Sequence, residues 1–452
     1  MSKAQAMKFL KSRGYNPTNP MTPYITEWRG WVNADNSFYK YIETTDERKY
    51  EATRNSLKPA SWVCGTWASL LFNEATEIVA EDDLTNEWLH EYLESASFLA
   101  KGQSLVQTAF ALGTSAWSLR ISNINENELR SENARVFIQR HDADDILPLT
   151  YNEDECTECA FLSTTVIRGR ALTQLTIHEK MPEGYVITAL HFDTKGLVDT
   201  EYSGVINTLS QQPLFGLIKP ALNNPYFKTT PLGVSVFDDA VDALKLTDLA
   251  FDNMYKDIYL GQSMVFISDT LIPLVNGKPT INRFRDQQIF RKVTGDQGSA
   301  STNIETFQPD LRVADNTAAL AEALERLGQK VGFGKGFLNA NRSMKTATEI
   351  VSENADLYNH IKTHQNELHK PLMALGNALV WFASQVKGLP EADVDVRFAD
   401  AIVTDANTQR AQDLSDVGAG LMARWQYIAK WQGLDDTAAQ TLASEIMPDA
   451  IA

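Results

Sequence analysis

Between residues 235 and 387 the chain shows three helix-length apolar periodicities, separated first by a short β-like stretch and then by a glycine cluster. Few folds accommodate that order. Ser235, with Asp238 three residues later, reads as a capping box that opens the first helix, and Gly261 is its natural stop. The helix would be about 26 residues, roughly 39 Å long. Phe237, Val241, Leu244, Phe251, Tyr255 and Ile258 recur at three- and four-residue spacing, interrupted once by Asp248. Asp238, Asp239, Asp242, Asp252 and Asp257 occupy the other faces. The pattern predicts one packed stripe on an otherwise anionic helix.

A strand at 264–268 follows, then a hairpin in which Asn276-Gly277 supplies the two positive-φ residues of a type I′ turn between 271–275 and 278–281. Gly and Ser make 295–303 a flexible tip. A second helix at 316–331 carries Leu320, Leu324, Leu327 and Val331 on one face and runs into Gly332-Phe-Gly-Lys-Gly336. From Thr346 a very long helix extends to about Lys387, and Pro371 must kink it or end its first half. A strand at 394–398 and an acidic turn at 400–405 precede two last helices, 406–431 and 435–446.

The first 230 residues read differently. Up to about residue 60 they form an irregular, Trp-, Tyr- and Pro-rich arm with short helices; 61–77 gives a mixed helical and extended signal, and 86–98 a clearer helix. An apolar segment, 105–121, broken at Gly113, leads to strand-like pieces at 135–139, 161–169, 172–179 and 185–193, so the fold class is α+β with a mostly antiparallel sheet.

At 452 residues, against roughly 150 per domain, the chain predicts two to four folding units. With 43% hydrophobic and 22% charged residues its composition is that of an ordinary globular protein, which excludes wholesale disorder. Nothing approaches the ~18 to 20 consecutive apolar residues of a spanning helix, and the N-terminus lacks an apolar signal core, so no membrane partner and a cytosolic chain are expected. The 41 Lys and Arg against 58 Asp and Glu leave a net charge of −17, so any contact with nucleic acid must be local. Three cysteines fit a reducing compartment.

Each candidate for chemistry weakens on inspection. Cys156-Thr-Glu-Cys159 has zinc spacing but no second ligand pair, so ordinary thiols are the better reading and no metal is expected. His360 and His364 share a helix face, yet Ile361 stands where a zincin needs Glu, which favours a solvated face. Gly332, Gly334 and Lys335 fail the phosphate-loop register because Gly336 follows the lysine. No nucleophile elbow or kinase signature occurs. No catalytic residue and no cofactor are assigned, although an α+β enzyme with scattered carboxylates stays open as an alternative.

In order along the chain, Trp62-Val-Cys-Gly-Thr-Trp-Ala-Ser-Leu-Leu-Phe-Asn-Glu74, Phe215-Gly-Leu-Ile-Lys-Pro220, Asn223-Asn224, Pro231-Leu-Gly-Val-Ser235 and Arg342-Ser-Met-Lys-Thr-Ala-Thr-Glu-Ile350 resemble the portal proteins of tailed double-stranded-DNA bacteriophages, most closely those of siphophages of Gram-positive hosts. The resemblance spans most of 55–450. It implies a wing (1–230), a first stem helix (231–262), a clip (263–312), a second stem helix (313–331), a tunnel loop (332–344), a kinked helix with a wing return strand (345–400) and a helical crown (401–452). It also implies a cyclic dodecamer at one capsid vertex. Double-stranded DNA is pumped in through it by the terminase large subunit and later leaves into the tail, and the portal itself hydrolyses no ATP. Its partners would be the major capsid protein and scaffold, and a head-tail adaptor protein. It would reside in the virion, and in the host cytoplasm during assembly.

On that reading Lys335, Asn339, Asn341, Arg342 and Lys345 belong to the loop that touches DNA, and Asp238, Asp242, Asp248 and Asp252 line the stem channel. Twelve helices about 10 Å wide, side by side, leave a bore near 28 Å, which passes a duplex roughly 20 Å across; six would leave about 9 Å. Repeated aspartates would repel phosphate and keep a moving polymer from sticking. Taken singly, each Asp is more simply a solvated helix face, and Lys335, Arg342 and Lys345 are equally a helix-flanking charge group. Another ring-forming virion adaptor is the remaining alternative.

Overall fold

The computed structural model describes residues 2–44, 49–74, 76–122, 133–153, 155–198, 200, 203–261, 264–268, 274–275, 278–279, 288–292, 304–334, 337, 347–398, 406–418, 420, 422–432 and 436–445. It divides into two compact units, 1–399 and 400–452.

The larger unit opens with helices α1 (Ser2–Ser12) and α2 (Thr22–Asn33), a hairpin of β1 (Lys40–Thr44) and β2 (Lys49–Thr53), then α3 (Pro59–Leu71), β3 (Glu77–Ala80), α4 (Asp83–Ser95) and α5 (Phe98–Leu112). The mixed signal at 61–77 is thus a helix and a short strand. Trp62 stays exposed, while Val63, Cys64, Trp67 and Leu71 are buried. Asp82 caps α4 by accepting from Thr85 N at 2.9 Å.

Strands β4 (Ser115–Ser122), β5 (Arg135–His141), β6 (Ile146–Asn152), β7 (Glu155–Ile167), β8 (Arg170–Met181), β9 (Gly184–Phe192), β10 (Leu197–Val198), β11 (Gly204–Asn207) and β12 (Phe215–Ile218) follow. Six of them form one antiparallel sheet in the order β10-β9-β8-β7-β6, with β11 also on β9, and a second sheet runs β12-β4-β5. Strand alternation assigns the faces of the large sheet. Ala160, Leu162, Leu175 and Ile177 pack against Ala6 and Leu10 of α1. Phe161 and His178, from the intervening positions, meet Phe215 edge-on with ring centroids 5.7 and 5.3 Å away. One sheet therefore serves two layers. Gly216 on β12 permits close approach to Trp117, because a Cβ there would stand 2.6 Å from the indole nitrogen.

A 3₁₀ turn, Asp238–Ala240, leads into α6 (Val241–Leu260). The expected capping box does not form. Ser235 Oγ donates to Phe110 O instead, and the Asp238 carboxylate is taken by Trp28 and Tyr226. Beyond α6 come β13 (Met264–Ser268), β14 (Leu274–Val275), β15 (Lys278–Pro279), β16 (Gln288–Lys292) and β17 (Ile304–Phe307). Val275 pairs antiparallel with Lys278 as the hairpin expectation requires, while β13 takes β16 in parallel and β17 antiparallel. The turn residues 276–277 and the tip 295–303 lie outside the described residues.

Helix α7 (Val313–Lys330) returns antiparallel to α6, and α8 (Ala347–Gln385) runs 39 residues, continuing through Pro371. The Pro371 carbonyl accepts a 3.1 Å bond from Trp117 Nε1. β18 (Val394–Arg397) pairs with β3, so the chain's later part closes a sheet begun near residue 77. In the smaller unit, α9 (Ala406–Gly418), α10 (Arg424–Gln432) and α11 (Asp436–Glu445) replace the two helices expected there. Asp413 joins α9 to α10 by bonding Lys430 and Trp431 at 2.7 and 2.8 Å.

Candidate functional site

The α6–α7 pair is held at both ends by side chains. Near the base, Lys330 meets Asp239 at 2.9 Å. At the far end, Asp257 accepts from Arg312 N at 2.9 Å, from the Arg312 guanidinium at 3.1 Å and from Asn316 Nδ2 at 3.0 Å, and these donors hold its carboxyl below the usual range. Antiparallel registration is thus fixed over most of the pair.

The expectation that four α6 aspartates present charge to a channel is corrected for two of them. Asp248 is fully buried and accepts from Tyr39 Oη at 2.6 Å, Ser56 Oγ at 2.8 Å and Leu57 N at 2.9 Å. Burial pushes its carboxyl up despite those donors. Asp252, one turn on and also buried, accepts from Asn55 N at 3.0 Å and Asn55 Nδ2 at 2.9 Å, and Lys256 pairs with it at 2.8 Å. Burial raises the Asp252 carboxyl, but Lys256 and Asn55 outweigh it and leave it below the usual range. Both carboxylates anchor residues 54–57 and offer no charge to solvent. Asp238 is half-buried, bonded by Trp28 Nε1 at 2.8 Å and Tyr226 Oη at 3.0 Å. Asp242 alone of the four is exposed, and it pairs with Lys245 at 2.9 Å.

The apolar stripe shifts for the same reason. Leu244 is buried as expected, whereas Tyr255 and Ile258 are about half exposed, at 48% and 52%. One signal was available in the sequence: an acid that interrupts an apolar stripe sits where water is excluded, and a buried carboxylate demands donors.

Just beyond α7 the chain is seated in an aromatic box. Trp67 Nε1 donates to Val331 O at 3.1 Å, and its ring stacks on Phe333 at 5.0 Å; Phe333 in turn stacks on Phe337 at 4.9 Å. His364 meets Trp67 and Phe110 edge-on, both at 4.9 Å, and its Nδ1 accepts from Ala221 N at 3.0 Å. Burial pushes His364 down to about 4. His364 is therefore a core residue rather than part of a solvated face, whereas His360 is exposed. Lys335, Asn339, Asn341, Arg342 and Lys345 lie outside the described residues, so it is the N-terminal root of that loop, through Phe333, that the structure fixes.

The motifs of 215–235 acquire local reasons. Asn224 Oδ1 accepts from Tyr226 N and Phe227 N, and its Nδ2 donates to Leu232 O. Gly233 N donates to Thr114 Oγ1, and a Cβ on Gly113, whose φ is +83°, would come within 2.6 Å of Gly233 O. These bonds set the entry to α6 against the end of α5. Cys159 is buried with its thiol against Leu147 O, and Cys156 donates to Glu158 O. Among the described residues no group of three His, Cys, Asp or Glu side chains is placed to hold a metal, and no helix is long and apolar enough to cross a membrane.

No curated protein sequence matches the chain. Among solved structures, the neck of a native GTA particle, computed with C12 symmetry, aligns with 92% of this chain and 94% of that one, at 10% identity and a TM-score of 0.39. The profile of the SPP1 Gp6-like phage portal proteins matches residues 21–449. This chain belongs to the SPP1 Gp6-like phage portal protein family.

Proposed function

We propose that the protein closes into a dodecameric ring at one capsid vertex, with α6 and α7 as the stem and 263–312 as the clip. The loop 332–344 is the constriction that meets DNA, 401–452 is the crown, and 1–230 is the wing that faces the shell. The observation that carries this reading is the antiparallel helix pair, pinned at both ends and bearing a small β module at its far tip. A rod of that kind, repeated about an axis, makes a wall.

Double-stranded DNA would pass through the bore, driven by a terminase large subunit, and the tip would receive the motor and later a head-tail adaptor. The major capsid protein and scaffold would hold the rim. The chain's own part is structural: it supplies a conduit, and the ATP chemistry belongs to the motor. The charge argument for the bore narrows to Asp242 and Asp239, since Asp248 and Asp252 are withdrawn into the fold.

Mass photometry of the purified chain tests the assembly. Twelve copies of 50.4 kDa give a particle of about 605 kDa. Only monomer or dimer across a range of salt and protein concentrations would overturn the ring.

A further inference from the structure

Among the described residues, the strands of the β1–β2 hairpin pair only with each other, from Lys40 opposite Thr53 to Thr44 opposite Lys49. An isolated two-stranded hairpin is marginal in water without a surface to lie on. Its root is firm. Arg54 N donates to Tyr39 O at 2.8 Å, and the Arg54 guanidinium lies over the Phe38 and Tyr41 rings, 4.1 and 5.0 Å from their centroids. Tyr41 comes within hydrogen-bonding reach of Lys256, so the Tyr41 face of the hairpin is the one turned toward α6. Strand alternation sends Ile42 the other way, where it is 66% exposed with Glu51 opposite it across the ladder.

A second apolar surface lies on α6 at the same level. Tyr255, Ile258 and Tyr259 are all about half exposed, and the two tyrosine rings stack with centroids 6.2 Å apart. Adjacent apolar side chains on an exposed helix face mark an interaction surface. Asp257, bonded to Arg312 and Asn316, points at α7. Successive residues turn about 100° around a helix, so Lys256 and Ile258 stand on either side of Asp257. Seen down α6 with α7 in front, the hairpin therefore lies on the Lys256 flank and the patch on the other.

We infer that the outward face of the hairpin, centred on Ile42, docks on the patch of Tyr255, Ile258 and Tyr259 in the next copy of this chain. The inference rests on the ring reading and names a pair of surfaces that closes it. Cyclic closure needs a head-to-tail contact between two different surfaces of one chain, and two flanks of one rod supply them. Rotation about the ring axis leaves every height unchanged. Both surfaces belong to the same turn of α6, so the hairpin of one copy arrives at the level of its neighbour's patch. The match is apolar on apolar, and it removes from water side chains that their own chain leaves half exposed. The tyrosine hydroxyls offer donors to the Glu51 carboxylate beside Ile42, so no acid is buried bare.

Disulfide trapping in full-length protein tests it. Ile42→Cys with Ile258→Cys, oxidised by copper phenanthroline, should convert rings into a ladder of covalent multimers on a non-reducing denaturing gel, which neither single substitution gives. Intact rings without a ladder would overturn the contact. So would loss of both new thiols in a product that keeps the mass of one chain, since the hairpin would then lie on its own helix. As an independent arm, Ile42→Asp sets a carboxylate against the patch, and it should raise the concentration at which half of the chains are in rings by about tenfold or more. Mass photometry reads that shift, and a parental melting temperature shows that the variant still folds; with a lowered melting temperature the trapping arm decides alone. Undiminished rings in Ile42→Asp would overturn the docking while leaving the portal reading intact. An unmodified chain that never rises above 50.4 kDa would remove the ring and this contact together.

Discussion

Tyr39 donates a 2.6 Å hydrogen bond to Asp248 across 209 positions of sequence, with both side chains almost wholly out of water. Ser56 Oγ and Leu57 N complete the coordination of the same carboxylate. Asp248→Ala strands three buried donors and should cost about 2–4 kcal/mol, whereas Asp248→Asn, which keeps the shape and one acceptor, should cost about half as much. Urea unfolding of the three proteins measures this. Equal stabilities would mean that the anchor contributes nothing.

His178 is fully buried between Phe161 and Phe215, and neither ring nitrogen has a partner among the described residues. Burial, aided by His141, pushes it down to about 3 from an ordinary 6.5. The folded state thus refuses a proton that the unfolded chain accepts. Stability from this group is intact above pH 6.5 and drains at about 1.4 kcal/mol per pH unit as pH falls toward 3. His178→Phe should remove that slope and be neutral or stabilising at pH 7. Thermal melts from pH 7 to 4 decide it, since an unchanged acid slope in the variant would place the titration elsewhere.

Phe333 fills the stack between Trp67 and Phe337 with 1% of its surface exposed. Phe333→Ala should cost about 3–5 kcal/mol if the box opens globally. If the loss stays local, it should appear as faster protease cleavage within 332–346. Limited proteolysis followed by mass spectrometry distinguishes the two, and a variant as resistant and as stable as the parent would contradict the anchoring.

On the proposed reading of 332–344 as a constriction around DNA, Lys335→Glu with Arg342→Glu should leave the ring assembled while DNA packaging into proheads falls sharply, because two attractive charges per subunit become repulsive to phosphate. Undiminished packaging would reduce the loop to a linker. Loss of assembly would mean that a subunit contact lies where the bore was expected.

How far the sequence could be read depended on whether a residue's partner lay nearby in the chain. Strand 264–268 and the extent of α8 emerged almost to the residue, because periodicity and flanking glycine are local signals. The split between α9 and α10, the parallel pairing of β13 with β16 and the burial of His364 were hidden, since each depends on contacts that no window contains. Asp248 shows the limit most clearly. Its place within the apolar stripe was legible, but its partners were not, because the donors that claim it are Tyr39, Ser56 and Leu57, about 200 positions upstream.

Asp248 and Asp252 stand one helical turn apart, and together they grip residues 54–57 by backbone as well as side chain. Two fasteners a turn apart resist twisting as well as pulling, which a single bond cannot do. Any torque exerted on the outer half of α6 is therefore delivered into the aromatic ground around Tyr39 rather than absorbed as rotation of one helix. The rod behaves as a beam set in masonry at its footing.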